Sequence, residues 1–162
     1  MWGRQNERTE VPIKNAKERQ TYYGALTLYN KDFILTPYHQ GDGENTVLFI
    51  QHLPALNPDK KLMIIWDGAR DHRCEKVHAY LNEVNQDLEE KNWKVTCHLF
   101  APNAPDQNPV EDVGLRGKDF LRKHFYENKN FQQVKNRFIN FLNKRIFDFR
   151  KLEWYLKIPQ PV

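Results

Sequence analysis

The pattern of apolar and polar positions along this 162-residue chain predicts a succession of strands and helices. Segments rich in β-branched, aromatic or continuous apolar residues predict four strands: 21–29, 32–38, 61–66 and 93–100. Apolar positions three and four residues apart predict four helices: 45–56, 73–90, 110–125 and 131–149. The short turn Asn30-Lys31 joins the first two strands into a hairpin. The apolar run at 61–66 is typical of a strand buried on both faces.

The order β-β-α-β-α-β-α-α predicts an α/β fold. Strands that alternate with helices in the middle of the chain predict parallel strands with crossover helices, and the N-terminal hairpin makes the sheet mixed. Residues 1–20 are polar, with Pro12 limiting regular structure, and the tail around 159–161 is expected to fray. No composition shift marks a boundary, so residues 1–162 are interpreted as one domain.

Composition narrows the class of protein. Hydrophobic residues make up 40% of the chain and aromatic residues 13%, which is enough to build a core. No apolar run reaches the roughly 18–20 residues that a membrane span needs, and the N-terminus lacks the apolar centre of a secretion signal. We therefore expect a cytoplasmic protein with no membrane partner. Cys74 and Cys97 are not in a CxxC pair, which favours two free thiols over a zinc site.

The positive charge is concentrated in the C-terminal third. Residues 114–151 contain eleven Lys and Arg against three Asp and Glu, a net charge of +8, whereas the whole chain carries +4. A basic surface of this size suits a polyanion such as DNA. A solvated helical face explains the charge equally well.

Two acidic residues stand out by their placement. Asp67 follows the strand at 61–66, and sites in open α/β sheets are built at the carboxyl ends of strands. Glu111 lies in the first turn of a helix, directly after a loop with three prolines in nine residues. A carboxylate at that position also complements the helix dipole, as does Asp112. Position alone leaves both interpretations of Glu111 open.

The local sequences around these residues resemble the DDE catalytic domain of mariner-like and bacterial insertion-sequence transposases. Residues 62–73, LMIIWDGARDHR, are similar to the family's strand that ends in an aspartate. Residues 100–118, FAPNAPDQNPVEDVGLRGK, are similar to its loop with P-x-x-(S/A)-P-(D/E)-x-N-P-(I/V)-E. The resemblance, from about Trp2 to Leu156, implies an RNase H-like fold. It identifies Asp67 and Glu111 with the second and third catalytic acidic residues.

The resemblance also implies a cofactor and a partner. In such domains carboxylates hold Mg²⁺ or Mn²⁺, and two cations can hold the attacking and leaving oxygens when DNA is cut and joined. The implied partner is DNA, both transposon ends and target, and a homodimer is compatible with this. Further residues take roles by position. His72 is expected to contact DNA phosphate or the metal site, or else to be an exposed helix-terminal histidine. Asn108 and Pro109 are expected to order the loop. The cations Lys118, Arg122 and Lys123 are expected to bind DNA phosphate, and a solvated helical face explains these three almost as well.

Two positions depart from the family pattern. The family's first catalytic aspartate lies on a strand upstream of a segment like Trp2-Gly3-Arg4, and no aspartate precedes Trp2 here. The sheet is therefore expected to lack its first strand. Gly114 also replaces a large aromatic residue. Two hypotheses remain: a metal-dependent DNA-cutting and joining domain, or an inactive remnant that at most binds DNA through its basic C-terminal helices. A nucleotide-binding domain is weaker, because GDGEN (residues 41–45) has no Walker lysine.

Overall fold

The structure, a computed structural model, describes residues 18–56, 58–101, 105–143 and 145–156. The expectations for Trp2, for Pro12 and for the tail at 159–161 lie outside these residues. The strands and α-helices in chain order are β1 (Thr21–Leu26), β2 (Phe33–Tyr38), α1 (Gly43–Ala55), β3 (Leu62–Trp66), α2 (Glu75–Val84), β4 (Val95–Leu99), α3 (Pro109–Lys123), α4 (Phe131–Leu142) and α5 (Leu152–Leu156). The predicted α/β order is confirmed, with α5 in addition.

The strands form two separate two-stranded sheets over the described residues, not the single mixed sheet predicted from the sequence. Strands β1 and β2 pair antiparallel, with Thr21 opposite Tyr38, which confirms the predicted hairpin. Strands β3 and β4 pair in parallel, with Leu62 opposite Val95. Strand β3 is not buried on both faces, because the Met63 side chain is exposed. Among the residues that the structure describes, β3 pairs with β4 alone and therefore lies at the edge of this sheet.

Helix α1 begins earlier than the apolar pattern predicted, because its cap lies before the first apolar position. The Asp42 carboxylate accepts a hydrogen bond from the backbone N–H of Asn45 at 2.8 Å. This satisfies one of the free N–H groups at the start of the helix. Gly43 follows, and a Cβ there would lie 2.2 Å from the Cys74 sulfur. A side chain at position 43 would force the Cys74 side chain to move, so glycine suits the close approach between the starts of α1 and α2.

Helices α2 and α4 end earlier than predicted because asparagines at their C-termini bond to strands. Asn85 follows α2, and its side chain accepts hydrogen bonds from the backbone N–H groups of Lys94 and Val95 and donates to Val95 O at 2.8 Å. Asn143 follows α4, accepts from Leu35 N at 2.9 Å and donates to Leu35 O at 3.2 Å. Each amide side chain therefore replaces the next helical turn with a link to a strand.

Residues 145–149 run beside β2 and are not helical, so the predicted helix over 131–149 is wrong after Leu142. Phe33 N donates to Arg145 O at 3.3 Å, and an isolated antiparallel bridge joins Asp32 to Ile146. The extended backbone alternates its side chains: Ile146, expected on the buried side, is 66% exposed, whereas Phe147 is 1% exposed.

Two hydrophobic clusters follow the two sheets. The first cluster combines the hairpin with α3, α4 and the segment after α4, and its buried members are Phe33, Leu35, Val113, Leu142 and Phe147. The second cluster lies between α1, α2 and the parallel sheet, and its buried members are Ile50, Val77 and Val95. The two clusters meet where β1 contacts α1: the ring of Tyr23 on β1 lies against the ring of Phe49 on α1, with the centroids 5.6 Å apart.

Helix α3 packs on α4 through a face that includes Val113 and Gly117. A Cβ on Gly117 would lie 2.5 Å from a Phe138 ring carbon and 2.9 Å from a Leu142 methyl carbon, so the helices approach closely at this point. Gly114 is different, because a Cβ there would meet nothing within 4 Å. Helix α3 therefore has one glycine packed against α4, Gly117, and one with open space around it, Gly114.

None of the helices in the described ranges has the length and apolar character required to cross a membrane.

Candidate functional site

Asp67 lies directly after β3, at the carboxyl end of the parallel sheet, and its side chain is 57% exposed. Its Oδ1 accepts a hydrogen bond from the backbone N–H of Ala69 at 3.0 Å, an Asx-type turn that turns the chain away from the strand. Phe100 N donates to Trp66 O at 2.9 Å, so β4 reaches the same edge of the sheet. The carboxylate is thus oriented by backbone at an accessible position.

His72 contacts Asp67 from a 3-10 turn at Arg70–Arg73. Its Nδ1 lies 2.9 Å from Asp67 Oδ1, and its ring stacks on Trp66 with the centroids 4.6 Å apart and the planes 6° from parallel. The histidine side chain is 21% exposed, so the alternative of a freely exposed histidine does not describe it. Trp66 also packs against the second hydrophobic cluster, as expected of a core residue. Both polar contacts of the carboxylate fall on Oδ1.

Glu111 lies in the first turn of α3, and its position depends on Asn108. The Asn108 side chain accepts a hydrogen bond from Val110 N at 3.0 Å, and the Asn108 carbonyl accepts one from Glu111 N at 3.3 Å. Pro109 is the first helical residue and is buried. Proline is favoured at this position because its fixed φ suits the helix and because a backbone N–H here would have no partner within the helix. The structure therefore shows Asn108 as the helix cap and Glu111 as an exposed side chain one turn on.

A C-terminal segment, Lys151 to Tyr155, contacts the loop that leads to α3. The Tyr155 hydroxyl donates to Gln107 O at 2.6 Å, and Lys151 Nζ donates to Asp106 O at 2.8 Å. Burial raises the pKa of Tyr155, and the charge of Asp106 adds to the effect, so the hydroxyl keeps its proton. Sequence reasoning did not find these two residues, because the partners are 45 and 48 residues away in the chain.

The basic residues predicted to bind DNA lie on the exposed part of α3. Lys118, Arg122 and Lys123 are all exposed. At about 100° per residue, Lys118 and Arg122 lie within about 20° of the direction of Glu111, whereas Lys123 points about 120° away. Arg122 forms an ion pair with Asp119 at 2.8 Å. An exposed ridge therefore runs from the carboxylate to two of the three cations.

The two acidic residues fit the donor chemistry of a hard divalent cation. Carboxylate oxygens are the ligands that Mg²⁺ and Mn²⁺ prefer, and such ions keep several waters. Among the side chains described, no group of three or more His, Cys, Asp or Glu could hold a metal ion, so Asp67, His72 and Glu111 do not form one three-ligand cluster. The arrangement supplies two accessible carboxylates.

Comparison with known proteins gives a family and a fold. No curated protein matches the chain. A structural likeness (TM-score 0.54, 12% identity) exists to a chain in the cryo-electron-microscopy structure of the simian T-cell lymphotropic virus intasome in complex with PP2A regulatory subunit B56 gamma. It covers 89% of this chain and 55% of that one, so the present chain spans about half its length. At this identity the likeness concerns the fold alone. The DDE superfamily endonuclease family matches residues 1–136 of the 162, and the chain therefore belongs to the DDE superfamily of endonucleases.

Proposed function

We propose that residues 1–162 form the catalytic domain of a transposase of the mariner-like or bacterial insertion-sequence type, which cuts and joins DNA strands in transposition. The observation that carries the proposal is the placement of Asp67. Its carboxylate lies at the carboxyl end of β3, is held by the N–H of Ala69 and the ring of His72, and remains accessible. Within the DDE superfamily of endonucleases, such an aspartate suits a nuclease site.

Asp67 and Glu111 would hold Mg²⁺ or Mn²⁺ at this site. The bound cation would neutralise charge on a DNA phosphate and lower the pKa of a bound water. The protein's own contribution is orientation. His72 and the N–H of Ala69 fix the rotamer of Asp67, and Asn108 fixes the turn that carries Glu111. Groups that hold ligating carboxylates in this way lower the entropy cost of binding and are typical of metal sites.

DNA would lie along the exposed ridge of α3. Lys118 follows Glu111 by seven residues, about 10 Å along the helix axis, and Arg122 by eleven, about 16 Å. Phosphates of one strand are spaced by about 3.4 Å of helix rise, so the two cations could contact phosphates a few nucleotides from the cleavage point. Both transposon ends and target DNA present this backbone, so these contacts would carry affinity and not sequence preference.

The decisive experiment measures Mn²⁺ binding and nicking of supercoiled DNA by the full chain. Asp67→Asn and Glu111→Gln each keep the shape of the side chain and remove its charge. Each is expected to weaken Mn²⁺ binding by about tenfold or more and to abolish metal-dependent nicking. Asp59→Asn, at an exposed aspartate before the amino end of β3 and so at the opposite end of that strand from Asp67, is the matched control and should behave as wild type. Equal Mn²⁺ binding by all four proteins would refute the assignment.

A second candidate function is DNA binding without cleavage, and the exposed basic side chains of α3 favour it. It predicts that the chain retains DNA, that retention falls steeply with salt, and that no metal produces nicks. Lys118→Met should then reduce the slope of log affinity against log salt by about one unit, whereas Asp67→Asn should not change it. Nicking that requires Asp67 would exclude this candidate.

A further inference from the structure

We propose that Lys151 and Tyr155 are positioning residues, which hold the loop before α3 and thereby set the direction of the Glu111 carboxylate. The inference rests on the proposed function of Glu111. Both residues lie outside the segment that matches the DDE superfamily of endonucleases, which ends at residue 136. The structure nevertheless brings them to the start of the helix that carries Glu111.

Tyr155 holds the loop through backbone. Its hydroxyl donates to the carbonyl of Gln107 at 2.6 Å, one residue before the cap Asn108. Its ring meets the ring of Phe100 edge-on, with the centroids 6.2 Å apart. The backbone N–H of Phe100 donates a hydrogen bond to the carbonyl of Trp66 at the end of β3. Tyr155 thus joins the end of the parallel sheet to the last turn before α3.

Lys151 holds both the loop and the helix. Its ammonium donates to Asp106 O at 2.8 Å and lies 2.5 Å from Asp112 Oδ2. The approach to Asp112 is not aligned for a hydrogen bond, so this second contact is an ion pair. The lysine side chain is only 19% exposed, and lysines are rarely buried to that extent without such partners. Its ammonium bridges a backbone carbonyl of the loop and a side chain of α3.

Asp112 and Glu111 are consecutive residues of α3, so a contact that fixes the side-chain direction of Asp112 also fixes that of Glu111. Consecutive residues of an α-helix point about 100° apart around its axis. The ion pair with Lys151 turns Asp112 inward, where its side chain is 35% exposed, and Glu111 consequently faces solvent. Without Lys151 the start of α3 would keep the Asn108 cap and the Tyr155 bond to Gln107, but its first turn would lose the ion pair at Asp112. The ion pair of Asp112 therefore fixes how the first turn of α3 is rotated about the helix axis, and with it the direction of Glu111.

The test compares conservative variants with matched controls in the full chain. Tyr155→Phe removes one hydroxyl, and Tyr126→Phe does the same at a tyrosine that is 70% exposed. Lys151→Met removes one charge, and Arg150→Met does so at the adjacent exposed position. Amide hydrogen exchange is measured by NMR, and Mn²⁺ affinity by electron paramagnetic resonance titration of the free ion.

Loss of one net hydrogen bond corresponds to a change of about 2- to 12-fold in an equilibrium constant. Tyr155→Phe and Lys151→Met should accelerate exchange at the Val110 and Glu111 amides by about that factor, and should weaken Mn²⁺ binding similarly. Neither should lower Mn²⁺ affinity further in a Glu111→Gln background. Lys151→Arg, which retains the charge and donors, should restore part of the affinity. The two control variants should match wild type in both measurements.

The outcomes separate the two proposals. Wild type that shows no Mn²⁺ binding dependent on Glu111 overturns the proposed function, and the positioning role with it. Wild-type binding that depends on Glu111, with equal affinity and equal exchange in Tyr155→Phe and Lys151→Met, overturns the positioning role alone. Equal losses of affinity with and without Glu111 also overturn it, because the two residues would then act on general stability.

Discussion

Alanine should stabilise the protein in place of one glycine of α3, Gly114, and should not stabilise it in place of the other, Gly117. Alanine is favoured over glycine in a helix interior by about 1 kcal/mol. At Gly114 the added Cβ meets nothing within 4 Å, so this gain is uncompensated. Gly114→Ala should raise the free energy of unfolding by about 0.5–1 kcal/mol, and the melting temperature by about 1–4 °C for a domain of this size.

Gly117→Ala has the same gain in helix propensity but also introduces a clash. Its Cβ would lie 2.5 Å from a Phe138 ring carbon and 2.9 Å from a Leu142 methyl carbon, so both side chains must move. Overpacking of this kind costs about 1–3 kcal/mol. Because the propensity gain is common to both variants, the difference between them measures the packing cost alone. Gly117→Ala should therefore be about 1–3 kcal/mol less stable than Gly114→Ala.

Urea unfolding followed by circular dichroism at 222 nm measures this difference, provided that the slope against urea is the same for both variants. Equal midpoints would show that α3 and α4 do not approach closely at Gly117. Lower stability of Gly114→Ala would show that the open side of α3 is occupied. Either result would refute the packing described for α3.

Three further predictions concern other parts of the molecule. Hydrogen bonds from His124 and Arg137 lower the pKa of Glu127 from its usual 4.5 to about 2. The stability that this carboxylate contributes is therefore complete above about pH 5 and is lost as the pH falls towards 2. Between about pH 5 and pH 2, the free energy of unfolding of Glu127→Gln should fall less than that of wild type. Asn143→Leu should lower the free energy of unfolding by about 1–3 kcal/mol in urea, because Leu35 N and O lose their partner, while Asn136→Leu at an exposed helix position should change it little. Burial raises the pKa of Cys97 to about 11, so iodoacetamide should label this thiol more slowly in the native protein at pH 8 than in urea, and equal rates would contradict its burial.

The sequence predicted the local structure where the determining residues are themselves local. Segments rich in β-forming residues on both sides of Asn30-Lys31 predicted the hairpin, and apolar spacing predicted the position of α1 to α4. The ends of α2 and α4 could not be predicted, because Asn85 and Asn143 bond to strands that are distant in the chain. The separation into two sheets was also missed, since an apolar run indicates a strand but does not indicate how many neighbours it pairs with.

The candidate site divides in the same way. Asp67 and Glu111 were singled out by local sequence, and their roles remain predictions. Asn108 was expected to order the loop, and the structure shows in addition that its side chain caps α3. The stacking of His72 on Trp66 and the contacts of Lys151 with the loop are tertiary, so no pattern within a short window predicts them. From sequence alone, a lysine in a basic segment, such as Lys151, is expected to be exposed to solvent, and only the structure shows that it is partly buried.

The interleaving of the two hydrophobic clusters has a consequence for the order of folding. The second cluster draws on a continuous stretch, 47–95, whereas the first joins residues 22–35 to residues 110–149. Closing the longer loop costs roughly 1 kcal/mol more in chain entropy. During synthesis the hairpin leaves the ribosome long before α4 exists, while the parallel unit can assemble from neighbouring segments as they emerge. The region around β3 and Asp67 should therefore form first, and the part that carries Glu111 should close over the hairpin last.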